Sequence, residues 1–492
     1  MVLRIRQLKI GPEGMLAILL IALATWLRLL LIAWGWPHSN VDEATMGLMA
    51  LHITAKGERP LFFYGQYYMG TGEAFLGAAF FRLVGISVFT LRLGPVLLFA
   101  LFLSSMYLLT SLLYTQKLAV LTLVLLSLGS SIMLDTEVVA LGGYPELLFC
   151  GSLSLLLACW LALTDARYAS LRTQLWRWLA YGCWGLVVGL GFWSDFLMLP
   201  FILVSGLLLV LFCWRELLKG AVLFLVLGLA IGAFPLIFYN LHAVPGQSTL
   251  KVLSYLHSNG HLQLAQLTSH DRIPFGPQIR GMLLTSLPAT TGGAPFCFDS
   301  YTHFRLAGYL GPEQFPCSIV HGNWSLVSMA LAWSLGFLLL WAIATFLTLK
   351  NLWKLCVRTP EQSRSPAEQH AVKIYFACLM LLCSAGLTLC LVGTSPMAAA
   401  FPANSRYLIG LLVSTPALIG PLWGLSLDKR TLNADRSTST NHPALALFTL
   451  MVNRTTIKFV LKRGVLFLIG FSLRKLTHTL QTSYIMEQVY GS

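Results

Sequence analysis

The sequence predicts an all-α polytopic membrane protein, a bundle of about 10–11 transmembrane helices with interfacial helices in a first outer loop and a long second outer loop. Three observations carry that prediction. Hydrophobic residues make up 57% of the 492 positions and charged residues only 11%, with a mean hydropathy of +0.73, which lies outside the range of soluble domains. Apolar runs long enough to cross a bilayer core of ~30 Å at a helical rise of ~1.5 Å per residue recur along the chain. Finally, Lys and Arg are distributed unevenly between alternate short loops.

Taken in order, the apolar runs place spans at 14–35, 91–114, 118–134, 147–164, 178–193, 197–214, 220–240, 325–349, 374–394 and 407–425. The first run is longer than a signal-peptide core and has no small-residue cleavage site, so it reads as a retained span. With the N-terminus in the cytoplasm, the inner segments 1–13, 115–117, 165–177, 215–219 and 350–373 carry 14 Lys and Arg, and the short outer loops 135–146, 194–196 and 395–405 carry none. The positive-inside rule selects that orientation. It also accounts for a net charge of +14 through basic loops facing anionic lipid, which makes membrane lipids the partner of that charge and disfavours nucleic acid.

Two outer segments are long. Residues 36–90 alternate apolar and polar positions as interfacial helices do, with Arg82 on the polar side of LGAAFFRLVG. Residues 241–324 hold six of the eleven histidines, scattered without metal-ligand spacing, and the cysteines Cys297 and Cys317. As the only cysteines in an outer segment, these two form a disulfide candidate in an oxidising exterior. The transmembrane domain thus covers 1–425. The basic tail 426–492 sets apolar pieces among Arg454, Lys458, Lys462, Arg463, Arg474 and Lys475, where an amphipathic helix and an eleventh span both stay open.

The same orientation places four acidic groups outside: Asp42 with Glu43, Glu73, Asp135 with Glu137, and Glu146 in the turn GGYPE. Carboxylates at a membrane surface act as bases, bind metal or solvate a loop. For Asp135, Glu137 and Glu146 a solvated loop or helix-start charge is as good a reading. Asp195, between two apolar runs, reads as a polar turn residue. Arg406 stands before the last apolar helix, where it either snorkels to the interface or grips a phosphate with its forked donors. No nucleotide-binding loop, zinc-protease helix or nucleophile elbow occurs in a suitable context.

These stretches, NVDEATMGLMA after the first span, GQYYMGTGEAFLGAAFFRLVGIS leading into LRLGPVLL, and the late NSRYLIGLL, resemble the GT-C superfamily of integral membrane glycosyltransferases. The branch is that of the protein O-mannosyltransferases and the aminoarabinose transferases of lipid A. The resemblance covers residues 1 to 425 and is strongest from 36 to 98. It implies an outward-facing enzyme that takes a sugar from a polyprenyl-phosphate carrier and passes it to a lipid, glycan or protein acceptor, with inversion at the anomeric carbon. Asp42 and Glu43 match the family's acidic motif, with Glu73 as a third catalytic candidate, and Arg406 and Tyr407 match its arginine-tyrosine motif at the donor phosphate. Where the aminoarabinose enzymes carry an acidic-basic-proline run, this chain has Tyr68, Met69 and Gly70, so neither sugar nor acceptor follows from the motif. No cofactor is required by such chemistry, although clustered acids have the donors for Mg²⁺ or Mn²⁺. The extracytoplasmic site would face away from a bacterial cell at its plasma membrane. The rival classes are a lipid or sugar transporter, which would set ionisable groups near the bilayer midplane in repeated halves, and a non-catalytic scaffold of the same fold.

Overall fold

The computed structural model describes residues 11–164, 171–244, 247–253, 275–292, 324–358, 365–393 and 402–421. The chain divides into two compact units, Met1–Leu427 and Asp428–Ser492, and every described residue lies in the first. Cys297, Cys317, most of the second outer loop and the basic tail lie outside the described residues. The described secondary structure is helical throughout. Among the described residues, six helices are long and apolar enough to cross a membrane.

The first of these, α1 (Pro12–Ala33), starts on a proline that has no amide to leave unpaired. It turns Met15, Leu19 and Trp26 outward, as a lipid-facing helix does. Residues 36–90, expected to hold interfacial helices, form two helices packed on each other. In α2 (Val41–Lys56), Asn40 caps the start by accepting the Glu43 amide at 2.9 Å, and Gly57 ends the helix in the left-handed region at φ +69°. Helix α3 (Gly72–Val84) packs back on α2, and Met46, Met49, Ala50, Ala74, Ala78 and Phe81 close a small core of their own with Leu91. The connection 57–71 is held against the bundle by the Gly70 amide on the Ser194 carbonyl (3.0 Å) and by the Trp193 indole on the Leu61 carbonyl (2.8 Å).

The main core lies between α4 (Val88–Leu113) and α7 (Tyr144–Leu163), where Phe99, Phe102, Met106, Leu155 and Cys159 are fully buried. The expected span 118–134 is instead two short helices, α5 (Gln116–Ser127) and α6 (Ser131–Val138). Gly129 breaks the run and Ser130 caps the second helix, and α5 alone reaches only ~18 Å. Downstream come α8 (Leu171–Ser194), α9 (Leu199–Glu216), α10 (Val222–Gly232) and α11 (Phe234–His242). The expected span 220–240 is broken before Pro235, which cannot donate to the preceding turn. The α8–α10 contact is a glycine clasp. A Cβ at Gly228 would stand 2.0 Å from the Gly182 carbonyl oxygen, and one at Gly185 would stand 2.1 Å from that of Leu225. At the other end of α8, Arg177 pairs with Glu216 through Nη2 and Nε at 2.8 Å and donates to the Leu161 carbonyl, which closes the C-terminus of α7.

Helices at 324–358 and 366–393 follow, longer than the runs expected at 325–349 and 374–394. The last expected span is a tight 3₁₀-wound segment, Pro402–Ser414, continued by Thr415–Ile419. At ~2.0 Å per residue, 3₁₀ winding covers more depth per residue than an α-helix.

Candidate functional site

Adjacent residues of a helix point ~100° apart, so the acids at the start of α2 diverge. Glu43 is buried, and its two oxygens accept from Arg92 Nε and Nη2, both at 2.7 Å. On its own, Glu43 would set a second negative charge beside Asp42. Bidentate pairing with Arg92 neutralises that charge, which leaves Glu43 joining α2 to α4. Asp42 is 37% exposed, and its Oδ2 lies 3.4 Å from Nη1 of Arg406, 364 residues further along the chain.

Arg406 enters from the 3₁₀ segment and is gripped by aromatic faces. Its guanidinium carbon sits 5.4 Å from the centroid of Tyr144 and 5.6 Å from that of Tyr407, whose rings meet edge to face at 6.0 Å. Its Nε is buried without a hydrogen-bond partner. Tyr68 and Asp195 share the electrostatic environment of Asp42, Arg406 and Tyr407. Burial, then the neighbouring Tyr407 and Asp195, push the Tyr68 hydroxyl up to about 12. Burial also raises Asp195 to about 6 against the opposing pull of the Leu197 amide and Arg406. Asp135, on α6, is raised to about 6 by burial, with Arg92 opposing. The structure therefore gathers Asp42, Arg406, Tyr407, Tyr68, Tyr144 and Asp195 in one cluster. Tyr68, Tyr144 and Asp195 were not selected from sequence as members of the site. The surviving signal was the Tyr68, Met69, Gly70 departure from the family pattern, of which Tyr68 belongs to this cluster.

The other acids are not solvated loop charges. Glu137 is 1% exposed and pairs through Oε2 with Arg28 of α1, Nη2 at 2.5 Å and Nε at 3.1 Å, with the guanidinium 3.6 Å from the Phe99 centroid. Glu73 is 0% exposed, its Oε2 accepts the Gly142 amide at 2.8 Å, and Glu146 lies beside it. Burial first, then the Glu146 carboxyl, lift Glu73 well above the ordinary carboxylate range. Among the described residues, no group of three or more His, Cys, Asp or Glu is arranged to hold a metal ion. Asp42, the exposed carboxylate of the cluster, already faces a guanidinium.

No family model matches the chain, and no curated protein matches it. Among solved structures, the chain is similar to the oligosaccharyltransferase of Archaeoglobus fulgidus in its apo form, at 14% identity and a TM-score of 0.48, over 91% of this chain and 55% of that one. The same organism's oligosaccharyltransferase AglB, in complex with an inhibitory peptide and a dolichol-phosphate, is 12% identical over 89% of this chain and 54% of that one, with a TM-score of 0.42. ArnT from Cupriavidus metallidurans bound to undecaprenyl phosphate is 14% identical over 85% of this chain and 79% of its own length, with a TM-score of 0.38. The chain spans about half the length of the oligosaccharyltransferase chains it matches.

Proposed function

We propose that this chain is a membrane glycosyltransferase of the GT-C kind, which moves a sugar from a polyprenyl-phosphate carrier to an acceptor at the extracytoplasmic face. The observation that carries the reading is the loosely held guanidinium of Arg406 with its unpartnered Nε. It holds a long contact of 3.4 Å to Asp42, keeps a buried Nε with no partner, and lies against two tyrosine faces. Buried guanidinium donors without partners are rare in folded proteins, and a phosphate supplies the bidentate acceptor they lack.

On this reading the carrier phosphate takes over Arg406, and the sugar carbon comes to lie between Arg406 and Asp42. Release from Arg406 frees the Asp42 carboxylate to accept the proton of the acceptor's hydroxyl or amine. The acceptor atom bonds to the anomeric carbon from the face opposite the phosphate, the carbon–oxygen bond to the phosphate breaks, and configuration inverts. Arg406 balances the charge gathering on the departing phosphate, with the Tyr68 and Tyr407 hydroxyls within the same cluster as further donors.

The test is transfer of radiolabel from polyprenyl-phosphate sugars to acceptors in membranes that contain the wild-type chain or Arg406→Lys. Loss of donor affinity in the lysine variant is expected, because a point charge does not replace a planar fork. Full donor affinity in that variant would make Arg406 an interfacial anchor. Movement of labelled carrier across the bilayer without sugar transfer would favour the transporter reading.

A further inference from the structure

We propose that Glu73 and Glu146 hold one proton between them, a neutral carboxyl donating to a carboxylate, and that this buried pair is the latch that seats α3 against the start of α7. Glu73 is then a positioning residue and not a base.

The argument starts from what surrounds the pair. Glu73 is 0% exposed and Glu146 is 7% exposed. One oxygen of Glu73 is satisfied by the Gly142 amide, while Glu73 Oε1 and both Glu146 oxygens are buried without a hydrogen-bond partner, and the backbone amides of Glu73 and Glu146 favour the ionised form of Glu146 over that of Glu73. The titratable groups that face the pair are Glu43 on the side of Glu73, and Asp195 and Cys150 on the side of Glu146. All are acids or thiols, and Glu43 already belongs to Arg92. Among the described residues, no Lys or Arg makes an ion pair with either member. Two carboxylates stripped of water with no cation carry a desolvation cost that an O–H···O⁻ hydrogen bond removes when one proton is retained. Such a proton belongs to the pair and not to one residue.

The backbone is shaped to let the two groups meet. A Cβ at Gly72 would lie 2.8 Å from Glu146 Oε1. Gly142, which donates to Glu73, has a φ of +94°, and a Cβ there would lie 2.1 Å from the Met69 sulfur. Glycine at both positions brings α3 and the turn before α7 into contact through the carboxyl pair. Tyr144, whose ring lies against Arg406, is the first residue of α7, so the latch sets where that ring meets Arg406. A raised Glu73 adds a direction. Stability from a carboxyl whose folded pKa lies above its unfolded value is present below that unfolded value and is lost as pH rises through the raised one.

Infrared spectra of the purified full-length chain in detergent at neutral pH, compared with Glu73→Gln and Glu146→Gln, test the idea without reference to any substrate. An amide in place of one carboxyl keeps a donor beside an acceptor, so each variant is expected to fold, to lose one protonated-carboxyl band, and to lose stability less steeply with rising pH than the wild type. If a single variant fails to fold, the double variant, one amide facing another, gives the same count by difference, one carboxyl band lost. A loss of two bands in the double variant, or none, overturns the shared proton. The positioning role rests on the transferase reading and is read separately. Glu73→Gln should keep most of its sugar transfer, and a folded Glu73→Gln as inactive as Asp42→Asn would make Glu73 the base instead. If wild-type membranes show no transfer, the transferase reading fails while the infrared count still stands or falls alone.

Discussion

The pair of Glu43 and Arg92 offers the clearest energetic test, because its geometry fixes what each substitution removes. Both side chains are 2% exposed, and two hydrogen bonds of 2.7 Å close the fork. Arg92→Met deletes the cation and leaves a buried carboxylate without its partner, a change that costs ~3–5 kcal/mol when one partner of a buried pair is removed. Glu43→Gln leaves an unpaired guanidinium and costs a similar amount, reduced by the acidic Asp135 close to Arg92. The double variant carries no buried charge, so the expectation is a cost well below the sum, with a coupling of ~2–4 kcal/mol. Equilibrium unfolding in mixed micelles of the wild type, both single variants and the double variant measures it. Costs that add to within ~0.5 kcal/mol would refute the pairing. Transfer activity should follow the same order, since Asp42 shares the first turn of α2 with Glu43 and loses its placement when that turn is released.

Asp42→Asn keeps the shape of the side chain and removes the base, so sugar transfer should fall ~10²–10⁴-fold with folding intact; near-normal turnover would end the assignment. Gly228→Ala drives a methyl to 2.0 Å from the Gly182 carbonyl and should destabilise the fold by ~1–3 kcal/mol of overpacking, read as a lower thermal midpoint in detergent. Asp195 is raised to about 6, so its contribution is present below its unfolded value of 3.8 and lost as pH climbs through about 6. The thermal midpoint of Asp195→Asn should therefore gain on the wild type between those two values, and parallel curves would contradict it. Orientation is checked by an impermeant maleimide in a background with Cys183, Cys356 and Cys390, exposed among the described residues, and Cys297 and Cys317 of the segment 241–324 replaced. Lys56→Cys should label from outside and Lys219→Cys only after permeabilisation. Gly142 is a poor probe position, because its positive φ and the Met69 sulfur leave no room for a side chain.

Hydropathy made the helical class legible because a bilayer demands apolar length, and the first outer loop could be read as interfacial because α2 and α3 each keep a polar side. The break at Gly129 was not readable, since a lone glycine inside an apolar run is as compatible with a continuous span as with two short helices. Buried charge was the larger blind spot. Glu137 and Arg28 stand 109 positions apart and Glu43 and Arg92 stand 49 apart, so nothing local marks them as partners. The charge rule puts acids on one side of the membrane but does not distinguish a carboxylate facing water from one packed against a guanidinium. Tyr144 was equally hidden, because a tyrosine at a helix start has no local pattern that announces an arginine from 262 positions later.

The buried ion pairs also sharpen the reading of the loose one. Arg92 with Glu43 and Arg177 with Glu216 use two guanidinium nitrogens each at 2.7–2.8 Å, and Arg28 with Glu137 closes at 2.5 Å. All six groups serve packing between helices. Asp42 and Arg406 depart from that geometry: one contact at 3.4 Å in place of a closed fork, and a buried Nε left over. A pair whose task was to hold helices together would gain from closing to the geometry of its neighbours, since an open pair contributes little against the entropy of ordering two side chains. Its looseness is the arrangement a binding site needs, in which an arriving phosphate displaces a weak partner from Arg406 and leaves Asp42 free to take a proton.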